Sequence, residues 1–283
     1  MGETLSYKFV NRKAGDVRLK PLDVRFLRCR ALLSLLAAAL VVVSSWGVRA
    51  QGLPDTIDRV RASIVSVGTY QPSRRPPGLF VATGFVVGDG KHVITNFHAL
   101  PRTLDKRLKE ILVIANKLGN SAFVAEVIAT DVVHDVALLR FQGKALPAMS
   151  FGDPSAVREG EMYAFTGFPI GEVLGLRPVT HRGIISSITP IATPQLSSGS
   201  LDSAMVKALK NPYDVFQLDA TAYPGNSGSP LYHPTTGKVI GIINRVFVKS
   251  TKEKVLSDPS GITYAIPIGH ARALMKKAGV RVK

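Results

Sequence analysis

Residues 219 to 231 read DATAYPGNSGSPL. This stretch places Ser227 in a tight Gly-Asn-Ser-Gly turn directly before a Pro-Leu strand. A serine hydroxyl is a poor nucleophile until a base removes its proton, and the oxyanion formed on attack must meet preorganised donors. Glycine permits the backbone bend that such a turn requires. This stretch therefore predicts a nucleophilic serine held between short strands.

The base that activates this serine must be a histidine within hydrogen-bond reach. His98 is the strongest candidate, because residues 93 to 100, VITNFHAL, read as a strand that ends in a short turn presenting the ring. We interpret the remaining five histidines as surface or packing residues: His92, His134, His181, His233 and His270.

An orienting carboxylate must hold the imidazole in one tautomer and stabilise its protonated form. Asp135 is the candidate, since an apolar strand, VALL at 136 to 139, follows it directly. Asp131 is the alternative, but it lacks the following apolar run and is interpreted as a turn residue. The sequence therefore predicts a triad in the order histidine, aspartate, serine.

Together these segments resemble the active-site motifs of trypsin-like serine peptidases. The resemblance is closest to the HtrA/Deg branch, which has asparagine rather than aspartate before the serine. It covers roughly Leu53 to Ala278 and includes TGFPIG at 166 to 171 and GITYAIP at 261 to 267. It implies an all-β fold of two six-stranded antiparallel β-barrels with a short C-terminal helix. It also implies an oxyanion hole made of the backbone amides of Gly225 and Ser227.

Two departures from the family pattern accompany this resemblance. Ser229 replaces the second glycine usual after the nucleophile, which predicts a more crowded turn. The sequence ends at Lys283, so we expect a protease domain without a PDZ domain.

The resemblance also assigns the first specificity pocket to five residues: Thr221, Ala222, Asn244, Arg245 and Val246. None of them is the acidic residue that a trypsin-type pocket needs. We therefore expect cleavage after small or medium apolar residues rather than after lysine or arginine.

The pattern after Gln51 consists of short apolar runs separated by Gly, Pro, Asn and Asp, which is typical of an antiparallel β protein. Besides the Pro-Leu strand, we predict strands at 63–70, 79–87, 91–95, 110–114, 123–129, 136–141, 161–167, 180–188, 215–218, 239–248 and 262–268.

A polar stretch, residues 142 to 160, divides these strands into two sets. We assign the first barrel to about 59–145, the second to about 159–268 and a helix to about 269–279. Residues 191 to 214 are predicted to be an inserted loop, with one helical stretch from Leu201 to Lys210.

The N-terminal 50 residues read as an export signal. Residues 31 to 43, ALLSLLAAALVVV, are uncharged and follow three arginines, and small residues at 48 to 50 offer a cleavage site before Gln51. An uncleaved signal anchor that extends to Val48 is the alternative. Both place the remaining chain outside the cytoplasm, so we expect a periplasmic, secreted or membrane-anchored protease domain.

Composition limits the partners. The chain has 283 residues, of which 46% are hydrophobic and 20% charged, a composition that excludes a disordered or fibrous protein. Its formal net charge is +16. The basic residues are scattered, which favours a solvated basic surface over nucleic-acid binding.

Cys29, the single cysteine, cannot form an intramolecular disulfide. No metal-ligand cluster or phosphate loop occurs in the sequence, so we expect no cofactor and no metal, and protein or peptide substrates as partners.

Two other functions compete with a trypsin-like peptidase. An α/β-hydrolase triad of Ser227, Asp258 and His270 fails, because Pro230 prevents the helix that must follow the nucleophile. A latent or non-catalytic trypsin-fold binding protein, with an oxyanion hole that forms only with a partner, stays open as the alternative. The sequence favours a serine endopeptidase that acts on exported or misfolded proteins through an acyl-enzyme.

Overall fold

The computed structural model describes residues 52–116, 121–169, 176–191, 212–244 and 261–282. The chain divides into a unit of residues 1–50 and a compact unit of residues 51–283, and all described residues belong to the second unit. The predicted export segment and the predicted helical stretch at 201–210 lie outside the described residues.

The first half of the described chain is a closed barrel of six antiparallel strands in the order β1-β2-β3-β6-β5-β4. Closure removes the unpaired strand edges that an open sheet of this size would expose. The strands are β1 (Ile64–Tyr70), β2 (Gly78–Val87), β3 (His92–Thr95), β4 (Ile111–Asn116), β5 (Ser121–Asp131) and β6 (Val136–Phe141).

The second half forms another closed barrel of six antiparallel strands, in the order β10-β11-β12-β9-β8-β7. Its strands are β7 (Met162–Gly167), β8 (Val179–Pro190), β9 (Asp214–Asp219), β10 (Pro230–Tyr232), β11 (Val239–Ile243) and β12 (Ile262–Pro267). The predicted fold class of two six-stranded barrels is therefore confirmed.

Side-chain alternation along the strands builds three separate cores. In β6, Leu139 points into the interior of the first barrel, while its neighbour Leu138 joins an apolar cluster shared with the second barrel. This shared cluster also contains Phe85 from the first barrel and Tyr232 and Ile266 from the second. Because both faces of such strands are buried, the two barrels pack as one body with the candidate site at their junction.

In the described part of the chain, two α-helices flank the barrels. The predicted C-terminal helix is present as α2 (Gly269–Lys277) and buries Ala271, Leu274 and Met275. The other helix, α1 (Leu53–Arg61), was not predicted, although Leu53, Ile57 and Val60 repeat at helical spacing; Thr56 and Val60 are buried and Leu53 packs against the shared cluster. Among the described residues, neither helix has the length and apolar composition needed to span a membrane.

Candidate active site

His98 and Asp135 meet at the edge of the first barrel. His98 lies in a 3₁₀ turn, Phe97–Ala99, that follows β3, and Asp135 directly precedes β6, which pairs with β3. The His98 ring nitrogen Nδ1 lies 2.6 Å from Asp135 Oδ2, and the His98 backbone amide donates to Asp135 Oδ1 at 2.8 Å. Both carboxylate oxygens are therefore committed to one histidine, with its Nε2 left for another partner.

The backbone of Asp135 is held in an uncommon conformation. Its φ of 53° lies in the left-handed region, which aspartate adopts more readily than most residues with a Cβ atom. Its carbonyl oxygen accepts the Asn96 side-chain amide at 3.0 Å and the Phe97 amide at 3.2 Å. The turn before His98 therefore fixes the aspartate from both its backbone and its side chain.

Ser227 lies in the loop between β9 and β10 of the second barrel and is half-buried. This loop contacts the first barrel through β2, because the backbone amide of Thr83 donates to the Ser227 carbonyl at 2.9 Å. Among the described residues, no hydrogen bond joins the Ser227 hydroxyl to the His98 ring. Hydrogen bonds between a nucleophile and its base are often long before substrate binds. The bond between Ser227 and His98 can therefore form when a substrate is bound.

The two predicted oxyanion donors lie on either side of Asn226 in the turn that holds Ser227. Among the described residues, the backbone amides of Gly225 and Ser227 donate to no protein acceptor. The intervening Asn226 amide donates to the Tyr223 carbonyl, and the Asn226 carbonyl accepts the Ser229 amide, both at 3.0 Å. The turn therefore satisfies its central residue internally and leaves the two predicted donors available.

Replacing Gly228 by alanine is expected to destabilise the protein by about 3 kcal/mol. Gly228 has a φ of 85°, and an added Cβ would overlap the carbonyl oxygen of Thr83 and lie 2.5 Å from Thr95 Oγ1. Urea unfolding of the full chain measures this loss. Gly279 has a φ of 71° with nothing within 4 Å, so Gly279→Ala is the matched control and should cost only about 1 kcal/mol. Equal losses would show that the packing against Thr83 contributes nothing.

Ser229, which departs from the family pattern, fits beside a glycine of the neighbouring strand. Its side chain is fully buried, and a Cβ added to Gly167 at the end of β7 would overlap the Ser229 hydroxyl. Asn226 Oδ1 lies 2.8 Å from the same point. The Ser229 hydroxyl and both polar side-chain atoms of Asn226 have no partner among the described residues. The missing side chain of residue 167 thus provides the room that Ser229 needs.

The predicted specificity residues are only partly described. Ala222 is buried in the core of the second barrel, and Thr221 is half-buried beside it. Asn244 follows β11 and donates its backbone amide to the Tyr264 carbonyl at 2.9 Å. Arg245 and Val246 lie outside the described residues.

The alternative aspartate, Asp131, bonds to a different histidine. Its carboxylate lies 2.6 Å from His134 Nδ1 and accepts the His134 backbone amide at 3.1 Å. The His134 ring stacks on His270 of α2 at a centroid distance of 3.8 Å, and Tyr213 packs edge-on against both rings. Asp131 therefore closes a turn, as its sequence context indicated, and its histidine belongs to a packed aromatic cluster.

This cluster predicts a loss of stability in acid. Burial and the neighbouring His134 lower the pKa of His270 from 6.5 to about 4, against a smaller opposing effect of Asp131. The unfolded chain binds the proton more readily, so this contribution is complete above about pH 6.5 and shrinks as the pH falls towards 4. The ring is partly exposed, so the loss should be roughly 1 to 2 kcal/mol.

The measurement is urea unfolding of the wild type and His270→Phe between pH 7 and about pH 4. Phenylalanine keeps the ring stacking but binds no proton. The difference in unfolding free energy between the two proteins should change over this range. A constant difference would contradict the assignment.

Thr83 and Thr95 are the site residues that sequence reasoning missed. Both are fully buried, and their hydroxyls donate to backbone carbonyls: Thr83 to Gly225 and Thr95 to Thr83, each at 2.7 Å. The available signal was a polar residue within an otherwise apolar buried strand. Within the described part of the chain, no cluster of three or more metal-ligating side chains occurs.

Comparison with known proteins gives one family match. A model of the trypsin-like peptidase domain matches residues 82–242. A probable periplasmic serine endoprotease DegP-like of Pseudomonas savastanoi pv. phaseolicola is 25% identical over 289 residues, covering 85% of this chain and 53% of the relative. The putative serine protease HhoA of Synechocystis sp. is 29% identical over 194 residues, covering 68% of this chain and 41% of the relative. The chain thus spans about half the length of these curated relatives.

Solved structures show the same fold. The HtrA-type protease AlgW with a decapeptide has a TM-score of 0.59 and 22% identity, covering 80% of this chain and 67% of AlgW. AlgW with a tripeptide has a TM-score of 0.58 and 24% identity, covering 80% of this chain and 62% of that one. These similarities support the two-barrel architecture described above.

Proposed function

This chain belongs to the trypsin-like peptidase family, and we propose that it is a serine endopeptidase with His98, Asp135 and Ser227 as its triad. Peptide-bond hydrolysis would proceed through an acyl-enzyme intermediate. One observation carries the proposal. The two oxygens of Asp135 fix the ring and backbone of His98 at 2.6 and 2.8 Å, at the junction with the loop that bears Ser227.

Each residue has a distinct role in this mechanism. His98 Nε2 takes the proton from the Ser227 hydroxyl as the oxygen attacks the substrate carbonyl carbon. The amides of Gly225 and Ser227 then donate to the oxyanion of the tetrahedral intermediate. His98 returns its proton to the leaving amine, and a water molecule activated by the same base hydrolyses the acyl-enzyme.

The state of the oxyanion turn supports an enzyme over a binding protein. Among the described residues, the two proposed donors are not consumed by internal hydrogen bonds. The latent alternative therefore requires a rearrangement of a turn that already has available donors.

The substrates we propose are exported or misfolded proteins. Curated relatives are named periplasmic serine endoproteases, and the apolar segment at 31–43 supports export of this chain. We place the functional domain at 51–283, after an export segment of residues 1–50. Because Thr221 and Ala222 carry no charge, we propose cleavage after small or medium apolar residues.

Labelling with a serine-directed phosphonate tests the activity. The folded full-length chain is treated with the reagent, digested and mapped by mass spectrometry, and cleavage of casein is measured before and after treatment. We expect a single modified serine in residues 219–231, parallel loss of casein cleavage, and no labelling of heat-unfolded protein. A folded chain that neither cleaves nor labels would favour the latent or non-catalytic alternative.

A further inference from the structure

Thr83 connects the first barrel to several segments of the second. It lies in β2, pairs with Ser66 of β1 and is fully buried. Its hydroxyl donates to the Gly225 carbonyl at 2.7 Å and accepts the Phe168 amide at 3.0 Å, and its own amide donates to the Ser227 carbonyl at 2.9 Å. The polar groups of one residue thus contact the two oxyanion residues and the end of β7.

The turn that Thr83 contacts has little other side-chain support. Asn226, between the two contacted residues, is fully buried, and its side-chain oxygen and nitrogen have no partner among the described residues. The asparagine therefore does not anchor its own turn. Buried carbonyls need a donor, so the carbonyls on either side depend on Thr83.

Thr83 is also hydrogen-bonded to the strand that precedes His98. Its carbonyl oxygen accepts the Thr95 hydroxyl at 2.7 Å, and Thr95 ends β3, three residues before His98. Gly228 packs on both threonines where an added Cβ would overlap the Thr83 oxygen. A path of two hydrogen bonds therefore joins the strand of the proposed base to the proposed nucleophile.

We propose that Thr83 is a positioning residue that fixes the oxyanion turn and Ser227 relative to His98. This inference rests on the proposed peptidase function. Its physical basis is that the reacting groups come from different barrels, so their separation depends on contacts between the barrels. Misplacement of reacting groups by about 1 Å can cost roughly 100-fold in rate.

The test compares Thr83→Val, which replaces the hydroxyl with a methyl group and keeps the amide, with Thr83→Ser, which restores the hydroxyl. For Thr83→Val we expect a loss in kcat of roughly 100-fold with KM within about twofold. Phosphonate labelling should slow in parallel. Thr83→Ser should recover activity to within about threefold of wild type. If Thr83 had only a structural role, Thr83→Val would lower Tm without a loss of kcat at unchanged KM.

Thr69→Val is the matched control. Thr69 is a buried threonine of β1 whose hydroxyl donates to Glu110 at 2.7 Å. This bond does not involve the turn that holds Ser227. Its removal should leave kcat unchanged. If Thr83→Val fails to fold, Thr83→Ala provides the same comparison without the extra bulk of a methyl group in the hydroxyl position.

Hydrogen exchange of the Asn226 and Gly228 amides, which donate to the Tyr223 and Ile243 carbonyls, gives a readout that does not need turnover. Exchange should quicken in Thr83→Val and stay unchanged in Thr69→Val. Unchanged exchange, or kcat within twofold of wild type in an active enzyme, would overturn the role of Thr83. A folded wild type that neither cleaves nor labels would overturn the proposed function instead, whatever the exchange result.

Discussion

Replacing Ser227 by alanine is expected to lower kcat for casein cleavage by roughly a million-fold, because it removes the atom that forms the acyl-enzyme. The residual rate would come from the oxyanion donors and substrate binding alone. Ser227 is half-buried in a turn whose contacts with Thr83 use only backbone atoms of the serine, so the fold should not change. Single-turnover assays and circular dichroism measure the two effects.

Ser229→Ala is the control for this change. Ser229 lies two residues away and is fully buried, and its hydroxyl has no partner among the described residues. Its removal should leave activity within about threefold and stability unchanged or slightly higher, since an unsatisfied buried hydroxyl is lost. Comparable activity of Ser227→Ala and wild type would show that Ser227 is not the nucleophile.

Replacing Asp135 by asparagine is expected to lower kcat by roughly ten-thousand-fold. The two carboxylate oxygens accept from two donors, the His98 backbone amide and its ring Nδ1. An amide has only one oxygen, so one donor would face an NH₂ group. If that donor is Nδ1, the ring adopts the tautomer with a proton on Nε2 and cannot accept the serine proton.

The control for the aspartate variant is Asp131→Asn. Asp131 bonds to His134 rather than to His98, so its variant should keep kcat within about threefold and lose only stability. Both variants are assayed over a range of pH with casein. A larger loss of kcat for Asp131→Asn than for Asp135→Asn would reverse the assignment of the orienting carboxylate.

Short apolar runs between turn residues predicted an antiparallel β protein, and the resemblance to trypsin-like peptidases implied its two six-stranded barrels. The apolar run VALL in β6 is buried on both faces, as an uninterrupted apolar strand indicates, and Gly, Pro and Asn mark the turns between strands. Strand ends differ by a few residues from the prediction, as in β5 (Ser121–Asp131), which extends two residues beyond the predicted strand at each end. The helix α1 was not predicted although its apolar residues have helical spacing, and the bond from Thr56 Oγ1 to the Thr235 carbonyl at 2.9 Å holds it against the second half of the chain.

The sequence by itself determined the candidate triad, since the glycine turn around Ser227, the strand ending at His98 and the apolar run after Asp135 are local signals. Only the tertiary structure shows the contacts themselves: Asp135 bonds to His98, whereas Asp131, at the other end of the same turn, bonds to His134. It alone also identified Thr83, whose hydroxyl bonds to a carbonyl 142 residues away. Local patterns specify backbone geometry, but a hydrogen bond between barrels forms only when both have closed and packed.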